Sequence, residues 1–224
     1  MSDITRLKDM IASSGRIVFF GGAGVSTESG IPDFRSENGI YDAIRRFGER
    51  PETLLSHSFF MNNTKRFYEY YRSALLVTDV QPNHAHKALA ELERQGKLTA
   101  VVTQNIDGLH TKAGSKQVIE VHGEFPTKEQ LEAPDFASTY RGIVLYDDVA
   151  PRYDDAVKLV KSLEYGNSHF VIVGTSFYTG ISQKLLKLAK QRKATVIVID
   201  ENAVDRIPVI CNNLRHIYGM IRKE

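Results

Sequence analysis

Short apolar runs rich in β-branched and aromatic residues recur along the chain, and between them apolar positions return every three or four residues. Ile17-Val18-Phe19-Phe20, Phe170-Val171-Ile172-Val173 and Thr195-Val196-Ile197-Val198-Ile199 have the length and make-up of buried strands. Strands are expected at 16–20, 99–103, 117–121, 170–173 and 195–199. Ile4, Leu7, Met10 and Ile11 share one face of a helix over 3–14, which Gly15 ends. Asn83 opens a second helix over 83–92 that stops by Gly96, and further helical spacing covers 156–163 and 181–190. No strand signal occurs between 41 and 79. There Phe59, Phe60, Phe67, Tyr68, Tyr70, Tyr71, Leu75 and Leu76 suggest two aromatic-rich helices whose rings serve packing. Strands that alternate with helices and read as continuous apolar runs call for a parallel sheet covered on both faces. The expected fold is α/β, a doubly wound Rossmann-like sheet in one domain over 1–224, with a small helical module at 39–80.

Polar clusters stand immediately after the expected strands. Gly21-Gly22-Ala23-Gly24-Val25-Ser26-Thr27 follows the first, Gln104-Asn105-Ile106-Asp107 the second, Gly174-Thr175-Ser176 the fourth and Asp200-Glu201-Asn202 the fifth. In open α/β sheets ligands bind beyond the carboxyl ends of the strands, at the topological switch point. Glycines allow close backbone approach, and amides at the next helix start are expected to supply donors for a phosphate. A tight turn without a ligand would look the same. Ile31-Pro32-Asp33-Phe34-Arg35 then sets a carboxylate, a ring and a guanidinium side by side, as a site for a charged, flat ligand needs. An amide and a carboxylate at Asn105 and Asp107 fit a hydroxyl and a carboxamide NH₂, or simply a local turn. His122, after the third strand, suits general-base work near neutral pH, or a structural hydrogen bond. His84, His86 and His110 are weaker candidates, and no metal site is expected from them.

Hydrophobic residues make up 42% and charged residues 25% of 224, an ordinary balance for a globular core. A net charge of +2 gives no reason to expect nucleic acid or a membrane surface as partner. Cys211 is the chain's one cysteine, so an internal disulfide and a cysteine zinc site are both ruled out. The first residues lack the apolar core of a signal peptide, and no run approaches the ~20 residues that span a bilayer. A cytoplasmic location is expected.

Taken together the motifs resemble the sirtuins, the NAD-dependent protein deacylases. Gly22-Ala23-Gly24-Val25-Ser26 with Gly30-Ile31-Pro32-Asp33-Phe34-Arg35-Ser36 is similar to the family signature, Thr103-Gln104-Asn105-Ile106-Asp107-Gly108-Leu109-His110 to its second motif, and Val121-His122-Gly123 to its catalytic histidine. Pro82-Asn83-His84-Ala85-His86 and Gly174-Thr175-Ser176 match further segments. The resemblance implies NAD as co-substrate, with its pyrophosphate on 22–26 (Gly22, Ala23, Gly24, Ser26, with Thr27) and on Gly174, Thr175 and Ser176. It assigns the nicotinamide carboxamide to Asp107, and the nicotinamide ribose and a water to Asn105, flanked by Gln104 and Ile106. It has Phe34 shield the reacting face, Arg35 organise the loop beside Asp33, and Asp200 and Asn202 lie toward the adenine end. It makes His122 the base that takes a proton from the ribose hydroxyl once the acyl oxygen has attacked the ribose. The products implied are free lysine, nicotinamide and O-acyl-ADP-ribose, from an acylated protein or peptide, acetylated or longer.

Departures from the family pattern are as informative. Most sirtuins carry a four-cysteine zinc ribbon where this chain has the short, cysteine-free stretch 123–142, so a reduced, zinc-free insertion is expected there. The run Ile143-Val144-Leu145-Tyr146-Asp147-Asp148 resembles the substrate-pairing strand, with Val144 and Tyr146 as substrate contacts, but Asp147 and Asp148 stand where the family usually has glycine and glutamate. Such a change is expected to alter how a peptide lies there and to favour basic peptides. Tyr68 is followed three residues on by Tyr71, not by the arginine of succinyl-preferring members. Two further readings stay open: transfer of ADP-ribose to protein or hydrolysis of NAD by the same residues, and a non-catalytic NAD-sensing module.

Overall fold

The computed structural model describes residues 3–32, 37–75, 79–126, 130, 142–175, 177 and 179–199. Five strands form one parallel sheet: β1 (Arg16–Gly21), β2 (Leu98–Thr103), β3 (Val118–Glu120), β4 (Ser168–Val173) and β5 (Thr195–Ile199), in the spatial order β3-β2-β1-β4-β5. The chain leaves β1 toward β2 and β3, then crosses back to place β4 on the other side of β1. The switch point therefore lies between the carboxyl ends of β1 and β4, where crossovers diverge and a crevice opens.

Successive strand residues point to opposite faces, and two helix layers use that alternation. Val18 and Phe20 of β1, Val102 of β2 and Phe170 and Ile172 of β4 pack against α8 (Tyr153–Lys161) and α9 (Gly180–Gln191). Ile17 and Phe19 of β1, Val101 of β2 and Val171 of β4 face the opposite layer. There they meet Ile11 of α1 (Asp3–Ser13) and Leu89 of α6 (His84–Arg94). Each expected strand is present. The third is shorter than expected, since Gln117 only accepts an amide bond from Val101 at its edge.

The helical module holds the two expected aromatic-rich helices and two others before them. It comprises α2 (Glu37–Phe47), α3 (Pro51–Leu54), α4 (His57–Asn62) and α5 (Thr64–Tyr70), which runs on as a π turn, Tyr71–Leu75. The breaks have local causes. Gly48 takes the left-handed conformation (φ 71) after α2, Pro51 starts α3, and the Ser56 hydroxyl caps α4 by accepting the Phe59 amide. Phe59, Phe60, Phe67, Tyr68, Tyr70 and Tyr71 form a separate core with Leu145, so the rings do serve packing. No helix among the described residues is long and apolar enough to cross a membrane.

Candidate functional site

The loops after β1 and β4 touch backbone to backbone. Gly22 donates its amide to the Val173 carbonyl at 3.1 Å, and Gly24 donates to Gly174 O at 3.0 Å. A Cβ on Gly24 would stand 2.7 Å from the Gly174 Cα, and one on Gly174 (φ +61) 2.6 Å from the Val25 nitrogen. The glycines are needed first for this contact. The expected row of free amides at a helix start is corrected as well. The segment forms two short 3₁₀ turns, Ala23–Val25 and Thr27–Ser29, and the amides of Gly22, Gly24, Val25 and Ser26 all bond inside the protein. Among the described residues the amides of Ala23, Thr27 and Glu28 in this run have no acceptor, which leaves them for a ligand.

Ser26, only 1% exposed, is the hub of the crevice. Its hydroxyl donates to Asp107 Oδ2 at 2.7 Å and accepts from Asn105 Nδ2 at 3.0 Å. Asp107 Oδ1 takes the Leu109 amide at 2.9 Å, opening α7 (Leu109–Lys112) after the left-handed Gly108. Asp107 thus makes the local turn bond and also joins the site. The Gln104 amide braces the two sides of the crevice: its Nε2 donates to Thr175 Oγ1 at 2.9 Å and its Oε1 accepts from Thr179 Oγ1 at 2.7 Å. Its backbone does further work. The Gln104 carbonyl lies 3.1 Å from His122 Nδ1. A carbonyl only accepts, so Nδ1 carries the ring proton, and Nε2 is the basic nitrogen of the neutral imidazole.

Two buried histidines that the motif spacing made weak candidates pack behind this cluster. His86 Nε2 lies 3.5 Å from Ser26 Oγ, and its Nδ1 belongs to the capping box of Asn83, whose side chain also bonds to Val25 O. The His86 ring is 4.6 Å from that of His110. Both ring nitrogens of His110 are buried without a hydrogen-bond partner among the described residues. Burial, reinforced by the neighbouring His86, pushes His110 down to about 3. Burial also lowers His86, with Asp107 acting in the opposite direction. Glu120, at the end of β3, is raised to about 7 by burial first, then by Glu124 and Asp107. The Asn83 cap was the available signal for His86; nothing local in the sequence marks the pairing with His110.

The substrate-side expectations meet a tighter structure. Val144 donates its amide to the His122 carbonyl at 2.8 Å, and Ile143 bridges Gly123. Tyr146 accepts from the His57 amide and donates to Leu55 O, so its backbone is occupied by the helical module. Asp147 adopts φ 77, a left-handed conformation that aspartate tolerates. The glycine-to-aspartate change therefore keeps the turn. Asp148 is 2.7 Å from His57 Nδ1, so it is paired rather than free to meet a basic peptide.

Gly22, Ala23, Gly24, Ser26 and Thr27 thus lie on the β1 loop, with Gly174 and Thr175 against them and Gln104, Asn105, Ile106, Asp107 and His122 at the ends of β2 and β3. Asp33, Phe34, Arg35, Ser176, Asp200 and Asn202 lie outside the described residues, as does most of 123–142. Among the described residues no group of three or more His, Cys, Asp or Glu is arranged to hold a metal.

A family model described as the Sir2 family matches residues 22–140. A Clostridium acetobutylicum protein named NAD-dependent protein deacetylase is 58% identical over 123 residues, 55% of this chain and 50% of the relative. The chain spans about half the length of the Clostridium relatives it matches. A Cutibacterium acnes protein of the same name is 35% identical over 221 residues, 90% of this chain and 89% of the relative. Among solved structures, a Sir2 homolog–NAD complex aligns with a TM-score of 0.74 at 30% identity, covering 96% of this chain and 94% of that one. A Sir2 structure with a deacetylated p53 peptide and 3′-O-acetyl ADP ribose aligns with a TM-score of 0.75 at 25% identity, covering 98% of each chain.

Proposed function

The chain belongs to the Sir2 family, and from that premise we propose that it removes acyl groups from lysine side chains of a protein or peptide substrate, with NAD as co-substrate. The observation that carries the reading is the meeting of Ser26, Asn105 and Asp107 in one hydrogen-bonded cluster, close to an imidazole whose Nδ1 is fixed on the Gln104 carbonyl.

The residues fit NAD. The Ala23 amide is left over in a loop that approaches its neighbour backbone to backbone, which suits a phosphate oxygen. Asp107 supplies acceptors for a carboxamide NH₂ and Asn105 both donor and acceptor for a ribose hydroxyl. When bound, NAD supplies the ribose carbon that the acyl oxygen attacks as nicotinamide leaves, and the hydroxyl that finally carries the acyl group. Asn105 and Asp107 hold their groups in one orientation because Ser26 ties them together. His122 takes a proton at Nε2 while Nδ1–H stays on Gln104 O, so the imidazolium that forms is stabilised in place. Thr175 adds to the crevice from the β4 side, and the family resemblance assigns Asp33, Phe34, Arg35, Ser176, Asp200 and Asn202 to the remaining contacts with NAD.

A four-cysteine zinc site does not fit a chain whose sole cysteine is Cys211. The proposed reaction uses no zinc.

The test is mass spectrometry of a reaction with NAD and an acetyl-lysine peptide. Peptide-dependent release of nicotinamide together with O-acetyl-ADP-ribose is expected. Nicotinamide released equally without peptide, or label from NAD appearing on protein, would overturn the reading in favour of hydrolysis or ADP-ribose transfer. His122→Ala is expected to abolish deacylation while calorimetry still detects NAD binding; equal turnover by variant and wild type would remove His122 from the role of base.

A further inference from the structure

The outer side of the layer formed by α8 and α9 is basic. From 156 to 199 the chain holds seven lysines and arginines and one carboxylate, Glu164. The net charge of +2 for the whole chain averages this asymmetry away. Helical spacing gathers the charge. Ile181, Leu185, Leu186, Leu188 and Ala189 of α9 are buried, so Lys184, Lys187 and Lys190 share the stripe that faces away from the core. Lys158 and Lys161 stand exposed on the neighbouring α8. At the amino end of the sheet the two helices finish in one corner. There Arg192 Nε donates to Leu163 O at 3.0 Å, and Arg16 Nη1 donates to Ser162 O at 3.0 Å. Lys193 Nζ lies 5.8 Å from the centre of the Tyr165 ring, which is 78% exposed. Lys158, Lys161, Lys184, Lys190, Arg192 and Lys193 are all exposed, and none has a carboxylate partner among the described residues.

We propose that this face binds a single strand of nucleic acid, with its phosphates along the lysines of α8 and α9 and a base stacked on Tyr165.

Charge and shape favour this occupant. Lys158, Lys161 and Lys190 lie in the last turns of their helices, where a cation offsets the helix dipole. That reason does not extend to Lys184 and Lys187, which stand before the last turn of α9. Unmatched cations on one face repel one another, and a polyanion relieves that repulsion. A membrane surface calls for apolar side chains beside the cations, whereas the outward stripe of α9 adds only Gly180, Gln183 and Gln191 to its lysines. A duplex is read by an element that enters a groove, and both helices here lie packed against the sheet. An exposed ring beside a cation is instead the platform on which an unpaired base stacks. The stripe also leads away from the crevice, since α9 begins beside Thr179, which donates to Gln104 Oε1. A bound strand therefore leaves the crevice open.

Fluorescence anisotropy of a labelled oligothymidine of about 20 nucleotides, titrated with the full chain, tests the proposal. With about four lysines on phosphates, log K falls against log salt with a slope of about −3, so a rise from about 50 to about 200 mM salt weakens binding about fiftyfold. Lys190→Gln combined with Lys193→Gln is expected to flatten the slope by about 0.7 per charge removed. Tyr165→Ala is expected to weaken binding about tenfold with the slope unchanged. Circular dichroism checks that the variants fold, and all three positions are exposed. No binding at about 50 mM salt overturns the proposal. So does binding of a duplex of the same length, or of phosphatidylserine vesicles, as tight as that of the strand. Variants that bind the strand as the wild type does place the contact elsewhere and overturn it as well.

Discussion

Gly174→Ala, set against Gly166→Ala, isolates the contact on which the crevice is built. Both residues have positive φ, +61 and +76. A left-handed conformation costs an alanine about 1–2 kcal/mol relative to glycine, and this part is common to the two variants. At Gly166 the added Cβ meets nothing within 4 Å, whereas at Gly174 it falls 2.6 Å from the Val25 nitrogen and 2.7 Å from Gly24 C and Cα. These are backbone atoms, so no side chain can swing away. The β4 loop must retreat from the β1 loop by several tenths of an ångström, and forced overpacking of this kind typically adds 1–3 kcal/mol. The excess for Gly174→Ala is then about 2 kcal/mol, or roughly 4–8 °C in melting temperature for a chain of this size. Thermal unfolding followed by circular dichroism reads the difference, and titration calorimetry reads NAD affinity, which should fall only for Gly174→Ala because the loops part only there. Equal melting temperatures and equal affinities would refute the claim that close backbone contact dictates these glycines.

Two buried groups beside the site give opposite pH dependences. His110 titrates near 6.5 when unfolded and near 3 when folded, so both states are neutral above 6.5. As pH falls from 6.5 toward 3 the unfolded chain takes up a proton the folded chain refuses, at a cost of about 2–3 kcal/mol by about pH 4.5. His110→Phe should flatten this acid limb; parallel urea-melt stabilities for variant and wild type from about pH 7.5 to about pH 4.5 would contradict it. Glu120 runs the other way, its carboxyl raised from 4.5 to about 7 in the fold. Between those values the folded chain keeps a proton the unfolded chain has lost, so stability declines as pH rises, and the deficit is complete above 7. Glu120→Gln should therefore raise the melting temperature more at about pH 8 than at about pH 4, and an equal gain at both would remove the raised pKa from the account.

The sheet was legible because its three central strands are buried on both faces and announce themselves as apolar runs. The crevice was legible because strand-end loops of parallel sheets converge. Asn105, Asp107 and His122 could be placed from their positions after β2 and β3 alone. Hidden from local reading were contacts between residues far apart in sequence. Ser26 meets Asp107 and Asn105 across about eighty positions, and His57 meets Asp148 across ninety-one. The glycine reading was incomplete in an instructive way. A glycine required by another loop and one required by a phosphate look identical in sequence, and only the positions of Gly174 and Val25 separate them. The two helices that precede the aromatic positions went unread because Gly48, Pro51 and Ser56 cut the pattern there into short segments.

The two sides of the site are held by contacts of different strength, and the difference bears on how a substrate enters. The crevice side rests on buried bonds: the Ser26 hydroxyl on a carboxylate, the Gln104 amide spanning to Thr175 and Thr179, and loops packed too closely for a Cβ. The bond to the Asp107 carboxylate is worth about 1.5–3 kcal/mol and each neutral Gln104 bond about 0.5–1.5 kcal/mol. On the substrate side the helical module is tied to the segment after His122 by the bonds of Tyr146 to Leu55 and His57, and by the exposed pair of His57 and Asp148. A pair exposed to that degree contributes about 0–1 kcal/mol. Local opening follows the weakest contacts. Loss of the His57–Asp148 pair therefore gives up little, while the bonds that orient Asn105, Asp107 and His122 are untouched. Opening of the module is separated from the fixed geometry of the crevice, so substitution of His57 or Asp148 should leave NAD affinity unchanged in titration calorimetry, and a clear loss of affinity would contradict this separation.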